Sequence, residues 1–487
     1  MRPVPETRIN KVNSKGINPD GGFILYWMTA NRRLKWNYSL DRAIEWAQKL
    51  AKPLMVLEAI DCNYEWACDR FHGFIINGMR DNFREAQGKN IFYYPYVEPA
   101  KGKGRGLVME LAKHACLIIT DDFPAFFIPA MLKKISERLP VLIEKVDSNG
   151  LLPMSMAERE FTTAYSFRRF LQKTLPDYLV DLPQASPLKN LRLEKLKSLP
   201  KDITGKWPPA PFKFLENYSG ALTKLPVDHN IKAVDKAGGS FNANRLLDIF
   251  INEKLSSYDE KRNEPCEDAT SNLSPYLHFG HINSHEIFYR IQEAQEWHPG
   301  KLSDYARGQK EGWWGMGKSA EAFLDQLITW RELGFNMCRY NRDYDKFKSL
   351  PRWAMETLKI HEMDNREYIY SEEEFENGQT HDPLWNAAQV QLVREGKIHN
   401  YLRMLWGKKI LEWSPTPERA LEIMIYLNNK YALDGRDPNS YSGIFWTLGR
   451  YDRAWGPERE IFGKVRYMSS ANTSRKVRVA GYIKRYS

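Results

Sequence analysis

The chain has 487 residues, 43% of them hydrophobic, with a formal net charge of +10; this length leads us to expect two or three domains with ample core. No run approaches the roughly 20 apolar residues that span a bilayer, and the polar start MRPVPETRINKVNSKG lacks the apolar centre of a secretory signal. A soluble intracellular protein is therefore expected, in the cytoplasm or nucleoid, or in the nucleus of a eukaryote. The positive balance favours an anionic partner such as nucleic acid, although such a charge is equally a solubility device.

In chain order, FILYWM (23–28), PLMVLEAI (53–60), IFYYPYV (91–97), ACLIITDD (115–122) and LPVLIEKVD (139–147) read as buried strands. Amphipathic stretches separate them, so residues 20–165 are expected to form a doubly wound, mostly parallel α/β domain. Such sheets bind ligands at their carboxyl edges. Breakers in DLPQASP, SLPKDITGKWPPAPF and KLPVDH mark 166–240 as a long connection without nameable chemistry. From Asn242 the pattern turns helical, with LLDIFINEKL, EAFLDQLITWREL, HNYLRMLWGKKILEW and ERALEIMIYLNNKY near a 3.6 spacing. Residues 241–487 are therefore expected to be all-helical. The five cysteines are scattered without a CxxC pair, which suggests neither a disulfide framework nor a metal site. Each reads as a small buried hydrophobe.

Fifteen tryptophans is a high count for this length. On the helix predicted over 399–413, with Arg403 at zero, Trp406 falls at about 300° and Trp413 at about 280°. The two indoles share one face about two turns apart, with Arg403 one turn from Trp406. One reading is a core stripe with an arginine at its edge. The other is a redox relay, because tryptophan is readily oxidised and indoles in near contact pass an electron hole stepwise.

Five segments in order, YDEKRNEP (258–265), SNLSPYLHFG (271–280), HDPLWNAAQ (381–389), HNYLRMLWGKKILEW (399–413) and DGRDPNSYSGIFW (434–446), resemble the flavin domain of class II photolyases. The resemblance extends over nearly the whole chain. The aspartate–alanine–Met/Asn run of class I enzymes is absent and HDPLWNAAQ stands in its place.

The resemblance implies FAD as cofactor, with Trp406 next to the flavin and Trp385 and Trp413 continuing a photoreduction relay to the surface; a core role for Trp413 is the alternative. Arg403 and Asp434 resemble the ion pair beside the isoalloxazine, with a plain surface salt bridge as the alternative, and Asn428 resembles the residue facing its reactive nitrogen. Thr270, Ser271, Leu273 and Ser274 would meet the pyrophosphate at a helix start, where TSNLSP otherwise reads as an ordinary cap. Tyr258, Asn400, Arg331 and Asp437 are further FAD contacts by the same resemblance. No GxGxxG loop appears, which argues against a Rossmann-type oxidoreductase. Trp330 and Trp446 resemble the aromatic pair that cradles a flipped dimer, a use of base flipping for which photolyases are a standard case; either could instead be a core residue. Arg466 resembles the arginine that fills the gap in the duplex. Arg453, Lys464, Arg475, Lys476 and Arg478 would add phosphate contacts on a surface that otherwise reads as solvated.

Two departures stand out. Where class II enzymes carry a glutamate four residues before the pocket tryptophan, this chain has Gln326, which donates a hydrogen bond but has no acidic proton to give. The segment between Trp446 and Arg466 reads as one residue shorter before Asp452 and one longer after Trp455.

The implied activity is light-driven repair of cyclobutane pyrimidine dimers in UV-damaged DNA by a monomer without metal. One electron passes from excited, fully reduced FAD to the dimer, the ring splits and the electron returns. An antenna chromophore in the α/β domain is implied, a deazaflavin or a folate, and its absence is equally compatible. The alternatives are a cryptochrome-like photoreceptor or a repair enzyme with a different lesion preference; that the chain stops at Ser487, without a long tail, favours repair.

Overall fold

The computed structural model describes residues 2–487, Ala221 through its backbone alone. The five apolar runs form strands β2 (Phe23–Met28), β3 (Leu54–Ile60), β4 (Phe92–Val97), β5 (Ala115–Asp121) and β6 (Ile143–Val146), preceded by a three-residue strand, β1 (Ile9–Lys11). Their order is β1-β6-β5-β2-β3-β4. All neighbours run parallel except β1, which pairs antiparallel with β6 through Ile9 and Val146 and lies outside the domain start expected at residue 20.

Strand β2 is buried along its whole length because both faces of the sheet are covered. Ile24, Tyr26 and Met28 pack with the helix Tyr38–Lys49, whereas Phe23, Leu25 and Trp27 pack with the helix Leu107–His114. At the carboxyl end of β5, buried Asp121 accepts backbone N–H bonds from Thr29, Ala30 and Asn31 at 2.7–2.9 Å. Tyr26 donates its hydroxyl proton to the other carboxylate oxygen at 2.9 Å, so the strand end is pinned to the turn after β2.

The chain divides into two compact units. The α/β unit comprises 1–156, 177–248 and 273–290, and the helical unit 157–176, 249–272 and 291–487. The stretch 166–240 begins inside the helix Ala164–Thr174 and is shared between the units at 176/177. Gly280 shows why 273–290 belongs with the sheet. Its φ is +71° and a Cβ there would lie 2.0 Å from the Ala30 carbonyl oxygen, so only glycine allows this approach.

Beyond residue 240 the described residues form helices and no strand, as the 3.6 spacing predicts. Two stretches depart from that spacing: Phe250–Lys254 and Asp325–Trp330 are π-helical turns, each of which takes more residues than an α-turn. All five cysteines are free, and Cys266 is exposed, contrary to the expectation of burial. No helix among the described residues is long and apolar enough to cross a membrane, and no described group of side chains could hold a metal ion.

Candidate active site

The helix Asn400–Trp413 carries two of the three tryptophans expected to form the relay, Trp406 and Trp413. Trp406, Trp385 and Trp413 are 2%, 0% and 3% exposed. Asp382 caps the helix Pro383–Glu395, accepting the N–H groups of Leu384 and Trp385, and so fixes the start of the helix that carries Trp385. Trp385 Nε1 donates to the Trp406 carbonyl at 3.0 Å, and its ring meets Trp413 edge to face at 6.0 Å between centroids. Trp406 Nε1 donates to Gln389 Oε1 at 2.9 Å. Both acceptors are neutral and poorly basic, so neither takes an indole proton readily.

Trp413 was expected at the surface end of this trio and is instead buried. Tyr370 and His381 cover it at 5.7 and 4.9 Å, and His381 in turn stacks on the 38%-exposed Tyr368 at 3.8 Å. The surface is therefore reached through phenol and imidazole rings rather than through the indole itself.

One turn before Trp406, Arg403 pairs with Asp434 at 3.0 Å, with only 19% and 14% of the two side chains exposed. This is not the plain surface bridge of the alternative reading. Arg403 Nε is buried without a hydrogen-bond partner among the described residues. Asn428, 4% exposed, donates to Ser440 Oγ at 2.8 Å. Asp437 accepts the Asn439 N–H at the start of the helix Pro438–Thr447, so helix capping accounts for at least part of its role. Burial raises the Tyr258 phenol, which lies edge-on to Phe250 and Phe323. Arg331 is buried and lies 4.5 Å over the Phe335 ring, whereas Asn400 is exposed at its helix start.

Thr270 and Ser271 close one segment of the helical unit, and Leu273 and Ser274 open the last segment of the α/β unit, where the short helix Ser274–His278 begins. Two lysines that the motifs did not single out stand by this turn. Lys397 donates to Asn272 at 3.2 Å and Lys254 pairs with Asp268 at 2.7 Å.

Gln326 and Trp330 lie on the π-turn and are half-buried, as is Trp446. The helices that follow Trp330 and carry Trp446 pack closely because Gly334 has no side chain; a Cβ there would meet the Pro438 carbonyl at 2.7 Å. A buried ion pair, Arg168 with Asp325 at 2.7 Å, braces the π-turn.

Arg466 does not point free into solvent. It holds Asp452 through two bonds of 2.8 and 3.1 Å and lies 5.5 Å from the Trp446 ring and 4.2 Å from that of Trp455. Arg453, Arg475, Lys476 and Arg478 are exposed, and exposed Lys464 pairs with Glu458. Sequence reasoning passed over Gln389, Asp452 and Lys408. Gln389 closes a quoted motif, but its partner could be found only from the packing of two helices.

No protein-family model matches the chain. It is 34% identical over 482 residues to a deoxyribodipyrimidine photo-lyase of Methanothermobacter thermautotrophicus, covering 98% of this chain and 97% of that protein. It is 32% identical over 495 residues to a deoxyribodipyrimidine photo-lyase of Potorous tridactylus, covering 99% of this chain and 86% of the other. Among solved structures, a bacterial class III photolyase from Agrobacterium tumefaciens aligns with a TM-score of 0.68 at 14% identity, over 97% of this chain and 88% of that one. At that identity the structural match bears on the fold alone.

Proposed function

The chain belongs to the photolyase/cryptochrome family, and from that premise we propose that it is a class II enzyme that splits cyclobutane pyrimidine dimers in UV-damaged DNA, with FAD as resident cofactor. The observation that carries this reading is the sealed trio Trp406, Trp385 and Trp413, one turn from a partly buried Arg403–Asp434 pair. The orphaned Arg403 Nε suits a flavin acceptor. Bound, reduced FAD supplies the light-driven electron that the dimer needs.

The chain's own residues have separable tasks. Arg403 offers a cation where negative charge accumulates, and Asn428 offers a neutral amide compatible with several flavin protonation states. Thr270, Ser271, Leu273 and Ser274, with Lys254 and Lys397 nearby, suit a pyrophosphate. Tyr258, Arg331, Asn400 and Asp437 complete the cofactor's surroundings. Half-buried Trp330 and Trp446 stack the flipped dimer, each worth about 1–3 kcal/mol per base. Gln326 donates a hydrogen bond to it. Arg466 enters the vacated duplex, and Arg453, Lys464, Arg475 and Lys476 meet phosphates. The 20–165 region takes any antenna chromophore, and 241–487 does the repair.

Gln326 is the observation that favours a second reading, a different lesion or a photoreceptor. The test is dimer loss from DNA carrying a defined cyclobutane thymine dimer, after photoreduction of the protein, in light and in darkness. Loss in light alone is expected; no loss with FAD bound and reduced contradicts dimer repair and favours the second reading.

A further inference from the structure

Lys408 is an amine with no evident use. It lies on the helix Asn400–Trp413 and is 0% exposed. Burying an ammonium ion is costly unless it is paired. Yet Nζ donates to the Thr447 carbonyl and faces the Trp446 ring at 5.6 Å, and no carboxylate among the described residues is its hydrogen-bond partner. Packing alone would be served as well by methionine or leucine.

The charged groups that act on the amine come from the chain after Trp446: Asp452 favours the ammonium and Arg466 opposes it. On its own helix, neighbouring Lys409 is already engaged with Glu412 at 2.6 Å. On the helix Pro417–Tyr431, Met424 touches Thr447 through sulfur and brings no charge. Asp452 is committed to Arg466 through both oxygens. A proton on Lys408 would therefore leave two cations around one carboxylate and one indole. Burial, assisted by Arg466, holds the amine down to about 7 despite Asp452.

This arrangement changes if Arg466 leaves. Asp452, whose side chain is 9% exposed with Arg466 in place, then loses its guanidinium. An unpaired buried carboxylate is unfavourable, and the nearby amine is the group that can supply the missing charge. We propose that Lys408 is a positioning residue of the lesion pocket that takes up one proton from water as Arg466 leaves Asp452 for the DNA, replacing the departing charge beneath Trp446. The step is the protonation of an amine, with one proton entering from solvent and no electron moved. It rests on the reading of Arg466 as the residue that enters damaged DNA.

Linkage fixes the sign. The DNA complex holds one more proton than the free protein wherever free Lys408 is neutral, so lesion affinity falls as pH rises above about 7, by at most about tenfold per pH unit. Below that pH the amine is already charged and its contribution is flat.

The test is the dark affinity of the full-length protein for duplex DNA with and without one cyclobutane thymine dimer, from pH 6 to pH 9 at fixed salt. The wild type loses lesion affinity above neutrality, while Lys408→Met and Arg466→Ala both lose that slope. Undamaged DNA shows no lysine-dependent slope, because Arg466 stays on Asp452. Calorimetry of the wild type in buffers of different ionisation enthalpy gives a measure that needs no variant: about one proton taken up per lesion at pH 8 and markedly less at pH 6. Lesion-selective binding with equal slopes in wild type and Lys408→Met, or with no proton uptake at pH 8, overturns the role of Lys408 alone. Absence of lesion-selective binding at every pH overturns the repair reading and this inference with it.

Discussion

Two groups of tryptophans in the helical unit differ in their relation to water. Trp406, Trp385 and Trp413 are at most 3% exposed, and the N–H groups of the first two are bonded to neutral oxygens. Trp330 and Trp446 are half-buried, one on a π-turn and the other beneath the Arg466–Asp452 pair. The difference matches what each proposed task demands. A hole relay is served by dry, fixed rings whose protons have nowhere ready to go, whereas a stacking platform must leave a face for the base. Residue type is the same in both groups; the environment built by neighbouring helices separates them.

The largest effect is expected at Trp406. Trp406→Phe is expected to abolish photoreduction under an external reductant while FAD stays bound, read as bleaching of the oxidised flavin band under blue light. Unchanged bleaching would place the relay elsewhere. At the open pair, Trp446→Ala should weaken lesion binding by about 1–3 kcal/mol, or about 5- to 160-fold, and leave photoreduction intact. Its unfolding midpoint should move far less than that of Trp385→Ala, where emptying a sealed site costs about 3–5 kcal/mol.

A smaller change sharpens the chemistry of the open side. Gln326→Glu restores an acidic proton, so dimer splitting per absorbed photon should rise at low pH and the gain should fade as the new carboxyl ionises. A variant with no pH-dependent gain would mean that hydrogen bonding alone is what this position supplies. A separate effect, on stability alone, concerns the start of the helix Asn400–Trp413. Burial, with Lys397 adding to it, lowers His399 to about 4, so the unfolded chain binds its proton first. Stability is then lost as pH falls from about 6.5 to 4, by about 3 kcal/mol in full. Denaturant unfolding of wild type at pH 7 and pH 4.5 should show a larger drop than in His399→Asn; equal drops would remove His399 as the cause.

The continuous apolar runs made β2 to β5 legible to within a residue or two: β2, β3 and β5 are buried almost throughout, and the partly buried edge strand β4 keeps a run of large aromatic side chains. β6 is shorter than its run, and β1 was not legible: Ile9–Lys11 has no alternation and is a strand only because β6 offers an edge. The helical pattern around LDQLITW was readable but its π-turn was not, since one inserted residue shifts the spacing only locally and leaves an ordinary helical pattern on each side. Motif resemblance supplied the tryptophans and the Arg403–Asp434 pair. It could not supply the burial of Trp413, which depends on Tyr370 and His381, nor the Asp452 clasp on Arg466, which lies in the segment with shifted spacing. No motif marks Lys408, whose burial depends on the helices packed around it.

The sealed trio and the open pair are thus proposed to do different work, one in flavin reduction and the other in lesion binding. The most direct test is dimer loss by Trp406→Phe after chemical reduction with dithionite, compared with wild type treated identically. Equal light-dependent dimer loss is expected, because the proposed relay is needed only to reduce the flavin. Failure of the chemically reduced variant, with FAD bound and lesion affinity normal, would contradict the separation.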